Sequence, residues 1–237
     1  MKKIKLNIYR LKKLFFNLFI IRNSNKENIF QKIYSKNYWG SDESVSGPGS
    51  VLMNTKNIRI ELPKIISKYK IKKVIDAPCG DFNWMKLVID KLDIEYLGYD
   101  IVEELINVNK KLYSSNKVNF FKLDLIKEKL PDTDLLICRA LFFHLDFFSI
   151  KKILENLKRS NIKYVLLTNS PMLENFINKD IIIGQFRDLD LFKAPLFFPN
   201  NYLYKFEDII CSYTNTVNQE MILWKMDELL DNLNLQI

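Results

Sequence analysis

Five short runs rich in branched and aromatic residues, Lys73–Ala77, Glu95–Asp100, Val118–Leu123, Asp134–Arg139 and Lys163–Thr168, recur through the middle of this 237-residue chain. Helix-period segments lie among them, over Trp84–Lys91, Val102–Tyr113 and Phe147–Arg159. Strands that alternate with helices make a mostly parallel sheet covered on both faces, so the pattern predicts an α/β fold with its ligands at the carboxyl ends of the strands. A further helix is expected from Lys56 to Tyr69, although Pro63 interrupts its pattern. Residues 34–55 are polar and carry glycines and Pro48, which predicts a loop, and Met221–Lys225 is expected to be a last strand.

The first strand gives the ligand its outline. Lys72-Lys-Val-Ile-Asp-Ala-Pro-Cys-Gly-Asp81 ends an apolar run at Asp76 and turns at Gly80, and the second strand, Tyr96-Leu-Gly-Tyr-Asp100, ends in another acid. A glycine lets backbone pass close to a ligand, and a carboxylate at that second strand end can accept hydrogen bonds from two ribose hydroxyls. A dinucleotide site uses G-x-G-x-x-G to bring backbone against a pyrophosphate at a helix N-terminus. Here the turn reads Pro78-Cys-Gly80-Asp-Phe82-Asn, one glycine with an acidic side chain beside it, which suits a cationic ligand better. S-adenosylmethionine (SAM), a sulfonium with an adenosine and no phosphate, is such a ligand.

With these residues the chain resembles the class I SAM-dependent methyltransferases. Asp76 to Phe82 falls where that superfamily has its first motif, Asp100 at the acid ending the second strand, and Asp124, in Phe121-Lys-Leu-Asp-Leu125, at the acid after the third. Pro78 and Phe82 depart from the motif, standing where two glycines are common. The resemblance implies a Rossmann-like methyltransferase fold whose last strand runs antiparallel. It also implies a SAM site formed by Asp76, Ala77, Pro78, Cys79, Gly80, Asp81, Asp100, Ile101, Asp124, Leu125 and Arg139, with Asp100 on the ribose and Asp124 on the adenine amino group. A narrower likeness runs through Tyr38-Trp-Gly-Ser, Ser46-Gly-Pro-Gly-Ser50, Asp76 to Trp84, Cys138-Arg139 with His144-Leu145, Gly184 to Asp190, Ala194-Pro195 and Phe198-Pro199. These look like bacterial methyltransferases associated with capsule and surface-polysaccharide synthesis. That likeness implies O-methylation of a glycan building block, on a hydroxyl or on the oxygen of a phosphorus-bearing substituent. Where such relatives tend to have Arg-Asp, this chain has Arg139-Ala140, so a carboxylate is missing.

Charge narrows the partners. The formal net charge is +8, but ten of the 36 Lys and Arg and one of the 28 acids fall in residues 1–36, which leaves 26 basic and 27 acidic residues for the rest. A body so nearly neutral argues against a nucleic-acid substrate. Three cysteines without a C-x-x-C pair fit a reducing compartment such as the cytoplasm and predict no metal site, and Cys79 and Cys138 read as small buried residues. Residues 1–33 form a basic extension ahead of a single methyltransferase-like domain over 34–237. Its Met1–Arg22 interleaves cations with Ile, Leu and Phe at near-helical spacing, too briefly for a membrane span. Two readings of it are open: a helix docked on its own domain, or one resting on an anionic membrane surface.

Methyl transfer to an alcohol needs a base, and His144 is the only histidine. It follows the fourth strand at the ligand edge of the sheet, which favours catalysis, while Phe142, Phe143 and Leu145 around it favour plain packing. Asp146 is a nearby acid whose place at a helix start fits a cap. Arg187 and Asp188 are candidates for an acceptor-binding lid, and Ser46, Gly47, Gly49 and Ser50 for a loop closing over the ligand. Tyr38 and Trp39 are either core or a flat wall for the acceptor. The expected activity is therefore SAM-dependent O-methylation of a small-molecule or glycan acceptor. A catalytically silent SAM-binding module and a nicotinamide-dependent oxidoreductase are the alternatives.

Overall fold

The computed structural model describes residues 26–39, 41–208 and 218–237, so the basic segment Met1–Arg22, with both its readings, lies outside the described residues. In chain order the elements are α1 Lys26–Ser35, α2 Lys56–Lys68, β1 Lys73–Asp76, α3 Lys86–Ile89, β2 Glu95–Asp100, α4 Glu103–Tyr113, β3 Val118–Lys122, β4 Thr133–Cys138, α5 Phe147–Lys158, β5 Ile162–Asn169, β6 Tyr204–Glu207, β7 Glu220–Lys225 and α6 Met226–Asp231. The strands join into one sheet of order β3-β2-β1-β4-β5-β7-β6. β1 to β5 pair in parallel, β7 is antiparallel to β5, and β6 is antiparallel to β7.

Strand periodicity sorts the core into two layers. Ile75, Leu136, Cys138, Val165, Ile222 and Trp224 face one side, where they pack with Ile29 and Ile33 of α1, Ile150, Ile153, Leu154 and Leu157 of α5, and Met226 and Leu229 of α6. Their neighbours Val74, Leu135, Ile137, Leu166, Met221 and Leu223 face the other, against Ile58, Leu62 and Ile65 of α2, Val88 of α3 and Ile106 of α4. Side chains that alternate across a pleated sheet produce this division, and each fully buried aliphatic contributes about 1.5–3 kcal/mol.

Local rules explain the helix ends. Asp146 starts α5, its side chain accepting from the Ser149 N–H at 2.7 Å. α2 continues through Pro63, losing one backbone hydrogen bond, because its Ile58, Leu62, Ile65 and Ile66 stripe is buried. α1 begins at Lys26 and runs past residue 34, so a helix with two core residues straddles the expected start of the domain. β6, which the sequence reading did not expect, is a four-residue edge strand in which half-buried Tyr204 and Phe206 alternate with exposed Lys205 and Glu207.

Candidate active site

A cavity of about 520 Å³ opens over the carboxyl edge of the sheet. Register aligns its floor: Asp76 at the end of β1 sits opposite Gly98 of β2 and Ile137 of β4, and Asp100 ends β2 opposite Lys122 of β3. Of the expected site residues, Asp76, Ala77, Pro78, Cys79, Gly80, Asp100, Ile101, Asp124, Leu125, Arg139 and His144 line it, as do Tyr38, Trp39, Ser46, Gly47, Gly49 and Ser50. Asp81, Arg187 and Asp188 do not.

The turn after β1 is built around Gly80, whose φ of +55° lies in the left-handed region and whose added Cβ would come 2.3 Å from Ser46 Oγ. Its N–H donates to Asp100 Oδ2 at 3.1 Å, while the Val102 N–H donates to Oδ1 at 3.0 Å. Both oxygens of Asp100 are thus held by backbone donors, with Ile101 adding a further one, and the carboxylate keeps acceptor capacity beyond them. Phe82, standing where a glycine is common, adopts a glycine-like φ of 58° and is held by packing on Tyr96, Tyr113 and Phe120. Asp81 is hydrogen-bonded to the loop at 44–50. Its two oxygens accept from the Val45 N–H and the Ser46 hydroxyl, and its own N–H donates to Ser46 Oγ. It fastens the 44–50 loop onto the glycine turn.

The carboxylates are crowded and dry. Burial pushes Asp76 up to about 7, against the opposing pull of the Tyr96 hydroxyl and the Arg139 charge, and pushes Asp100 up to about 6 against its backbone donors. Burial likewise raises half-buried Asp124, whose Oδ1 accepts from the Ile126 N–H. Burial also drives the thiols of Cys79 and Cys138 up, so both stay protonated. Among the described residues no cluster of three or more His, Cys, Asp or Glu could hold a metal ion.

Arg139 and Asp208 form a buried ion pair, Nε to Oδ2 at 2.7 Å, and Arg139 Nη1 donates to the Gly49 carbonyl at 2.9 Å. Its Nη2 is buried without a partner among the described residues. Next in sequence, Ala140 takes a φ of 58° and donates its N–H to Thr168 Oγ1.

His144 ends a 3-10 turn, Phe142–His144. Its Nδ1 is 2.9 Å from the Gln185 carbonyl oxygen. A carbonyl only accepts, so Nδ1 carries the proton and Nε2 the lone pair. Trp39 stacks on the ring at 4.7 Å between centroids and Phe186 lies at 5.9 Å. Burial lowers the imidazole to about 4, opposed by the Gln185 hydrogen bond and reinforced by the nearby Arg187 charge. The 184–187 segment is laced to this turn, since the Gly184 N–H donates to the His144 carbonyl and the Arg187 N–H to that of Phe143.

Of the expected lid pair, Arg187 has its guanidinium 4.6 Å from the Phe147 ring centre and pairs with Asp180 at 3.4 Å, and neither Arg187 nor Asp188 lines the cavity. Sequence reasoning missed Phe30, Ile33 and Tyr34 of α1, which line the cavity; the i, i+4 pairs Ile29/Ile33 and Phe30/Tyr34 were the available signal. It also missed Asp208 and Gln185, which no local pattern marks.

No protein-family model and no curated protein sequence matches the chain. Solved structures do. Magnesium protoporphyrin IX methyltransferase from Synechocystis PCC 6803, solved with S-adenosylhomocysteine (SAH) bound, is similar with a TM-score of 0.56 and 10% identity over 84% of this chain and 98% of that one. The fold is the Rossmann-like methyltransferase fold. The methyltransferase domain of a bacterial CtHen1 is similar at a TM-score of 0.54 and 14% identity, covering 73% of this chain and 99% of that one. Human N-acetylserotonin methyltransferase in complex with SAM follows at 0.53 and 13%, over 89% of this chain and 61% of that one. At such identities the likeness is one of fold.

Proposed function

We propose that the protein is a SAM-dependent O-methyltransferase, with Asp100, the Gly80 turn and Asp124 holding the cofactor and His144 serving as the base. One observation carries the reading: Gly80, Asp100 and His144 line a single cavity on the carboxyl edge of a methyltransferase-type sheet. The residues fit the group. Asp100 keeps acceptor capacity for ribose hydroxyls, and the unpartnered Nη2 of Arg139 is a donor suited to the carboxylate of the methionine part. The charged lining residues are Asp76, Asp100 and Asp124 against Arg139 alone, itself paired with Asp208. Such a lining favours a sulfonium and disfavours the pyrophosphate of a dinucleotide. When bound, SAM supplies a methyl group already activated on sulfur, so the protein's part is alignment, exclusion of water and a place for the acceptor's proton. Nε2 of His144 accepts that proton, while the Gln185 carbonyl fixes the tautomer and Trp39 the ring plane.

The polysaccharide acceptor implied by the sequence resemblance belongs to this reading only as a hydroxyl. A phosphorus-linked oxygen would bring negative charge to a lining that has no unpaired cation among the described residues. A thermal shift assay tests the cofactor. At a hundredfold excess over Kd, SAH should stabilise the protein by about 2.7 kcal/mol, a rise of roughly 5–10 °C, and NAD should leave the melting point unchanged. The reverse pattern would move the protein to the oxidoreductases, and a protein that binds SAH but turns over no acceptor would be the silent module.

A further inference from the structure

One stretch of the cavity wall is aromatic. Phe30 and Trp39 meet edge to face at 6.3 Å, Trp39 stacks on His144 at 4.7 Å, and His144 meets Phe186 at 5.9 Å, so four rings from three separate segments form one continuous surface. All four line the cavity, and Ile33 and Ile181 extend the apolar surface. Of the lining residues from the segments that carry these rings, only Tyr34, Tyr38 and Gln185 add polar side chains to His144; Ser46, Ser50 and Gln219 are the uncharged polar residues elsewhere in the lining. No lysine lines the cavity among the described residues, and its one arginine is paired with Asp208, donates to the Gly49 carbonyl and keeps only Nη2, which the cofactor reading assigns to the methionine carboxylate.

We infer that the methyl acceptor is an uncharged hydroxyl compound with a flat aromatic body, a phenol or similar planar alcohol, seated against Phe30, Trp39 and Phe186 with its hydroxyl at His144. The inference rests on the methyltransferase reading and narrows its acceptor.

Three arguments support it. An aromatic body gains by burying its faces on other rings in offset or edge-on arrangements, which is what this wall offers. A sugar ring would bury several hydroxyls, each needing a partner, where few polar side chains are present. A phosphorylated or carboxylated acceptor would find no cation left to receive it, since no lysine lines the cavity among the described residues and Arg139 is paired with Asp208. The base agrees with this. An imidazole lowered to about 4 is weak, and proton transfer to it is far less uphill from a phenol, near 10, than from an aliphatic hydroxyl, which is a far weaker acid.

The test is a binding measurement on the full chain saturated with SAH, whose own affinity is first measured by calorimetry. The probes are 2-naphthol, methyl glucoside and glucose 1-phosphate, followed by ligand-observed NMR and equilibrium dialysis. The expected result is naphthol binding at least tenfold tighter than either sugar, weakened about tenfold by Phe186→Ala and by Trp39→Ala with SAH affinity within twofold of the parent. Phe186 is 42% exposed, so its truncation leaves the fold intact even where loss of Trp39 does not. SAH binding with glucose 1-phosphate as the tightest probe, or with naphthol indifferent to Phe186→Ala, overturns the inference while the methyltransferase reading stands. Absence of SAH binding removes both.

Discussion

At His144 one hydrogen bond and one stacked ring decide what the side chain can do. With Nδ1 held by the Gln185 carbonyl, His144→Ala should cut turnover about 10²–10⁴-fold and leave SAH affinity unchanged, since nothing in the nucleoside half depends on it. Unchanged turnover would return the residue to packing. Its lowered value also has a stability signature. Between about pH 6.5 and 4 the unfolded chain takes up a proton that the folded chain refuses, so the stability associated with neutral His144 is present above 6.5 and is lost as the pH falls toward 4. The loss is on the order of 3 kcal/mol over the window, and denaturant unfolding of His144→Ala and the parent at pH 7 and 4.5 should show the gap between them change accordingly. Ala140 offers a second check. A Cβ in the left-handed region costs roughly 1–2 kcal/mol, offset in part by glycine's looser unfolded state, so Ala140→Gly should stabilise the protein by about 0.5–1 kcal/mol. Phe82 has the same backbone with the opposite outlook, because its ring fills a buried aromatic cluster that glycine would leave empty. The departure from the motif at Phe82 was visible in the sequence; that the backbone would keep a glycine's conformation was not, because the rings that hold it come from β2, β3 and α4.

At the scale of elements, the strand ends and the loops above them are joined by few, deeply placed contacts. Arg139 beyond β4 holds Asp208 beyond β6 and the Gly49 carbonyl of the capping loop. Asp208→Ala leaves a guanidinium buried without its counter-charge and should cost about 3–5 kcal/mol, whereas the double change with Arg139→Met should recover most of that stability in urea unfolding. An equal loss in both variants would show that the pair contributes little. The elements with strong periodicity, β1 to β5, β7, α2, α4 and α5, were readable because burial on one or both faces writes itself into the residue pattern. β6 was not, being a short exposed edge, and neither was the Arg139–Asp208 link, which spans 69 positions. α1 was overlooked for another reason: the cationic segment preceding it masked a helix whose Ile29 and Ile33 belong to the core.

For the whole molecule, the mostly parallel sheet and a ligand site at its carboxyl edge follow from alternation, while the strand order and the chemistry of the cavity wall needed coordinates, since the rings of the wall come from α1 and the turn after it, the turn after β4 and the 181–186 segment. The charge asymmetry is a property at the same scale. Seven Lys and Arg and no acid lie in residues 1–25, against a net charge of +8 for the entire chain. Removing them should abolish retention on heparin at physiological salt and leave SAH affinity unchanged, because the field of the remaining body is close to neutral. Persistent retention would mean that the described domain carries a basic face of its own.

The lacing of residues 184–187 onto the turn at 142–144 has an evolutionary corollary. The same few amides that set which imidazole nitrogen is basic also hold Phe186 at the cavity mouth. If His144 is the base and Phe186 seats the acceptor, as proposed, a change in this stretch that admits a new molecule would also reset the proton chemistry.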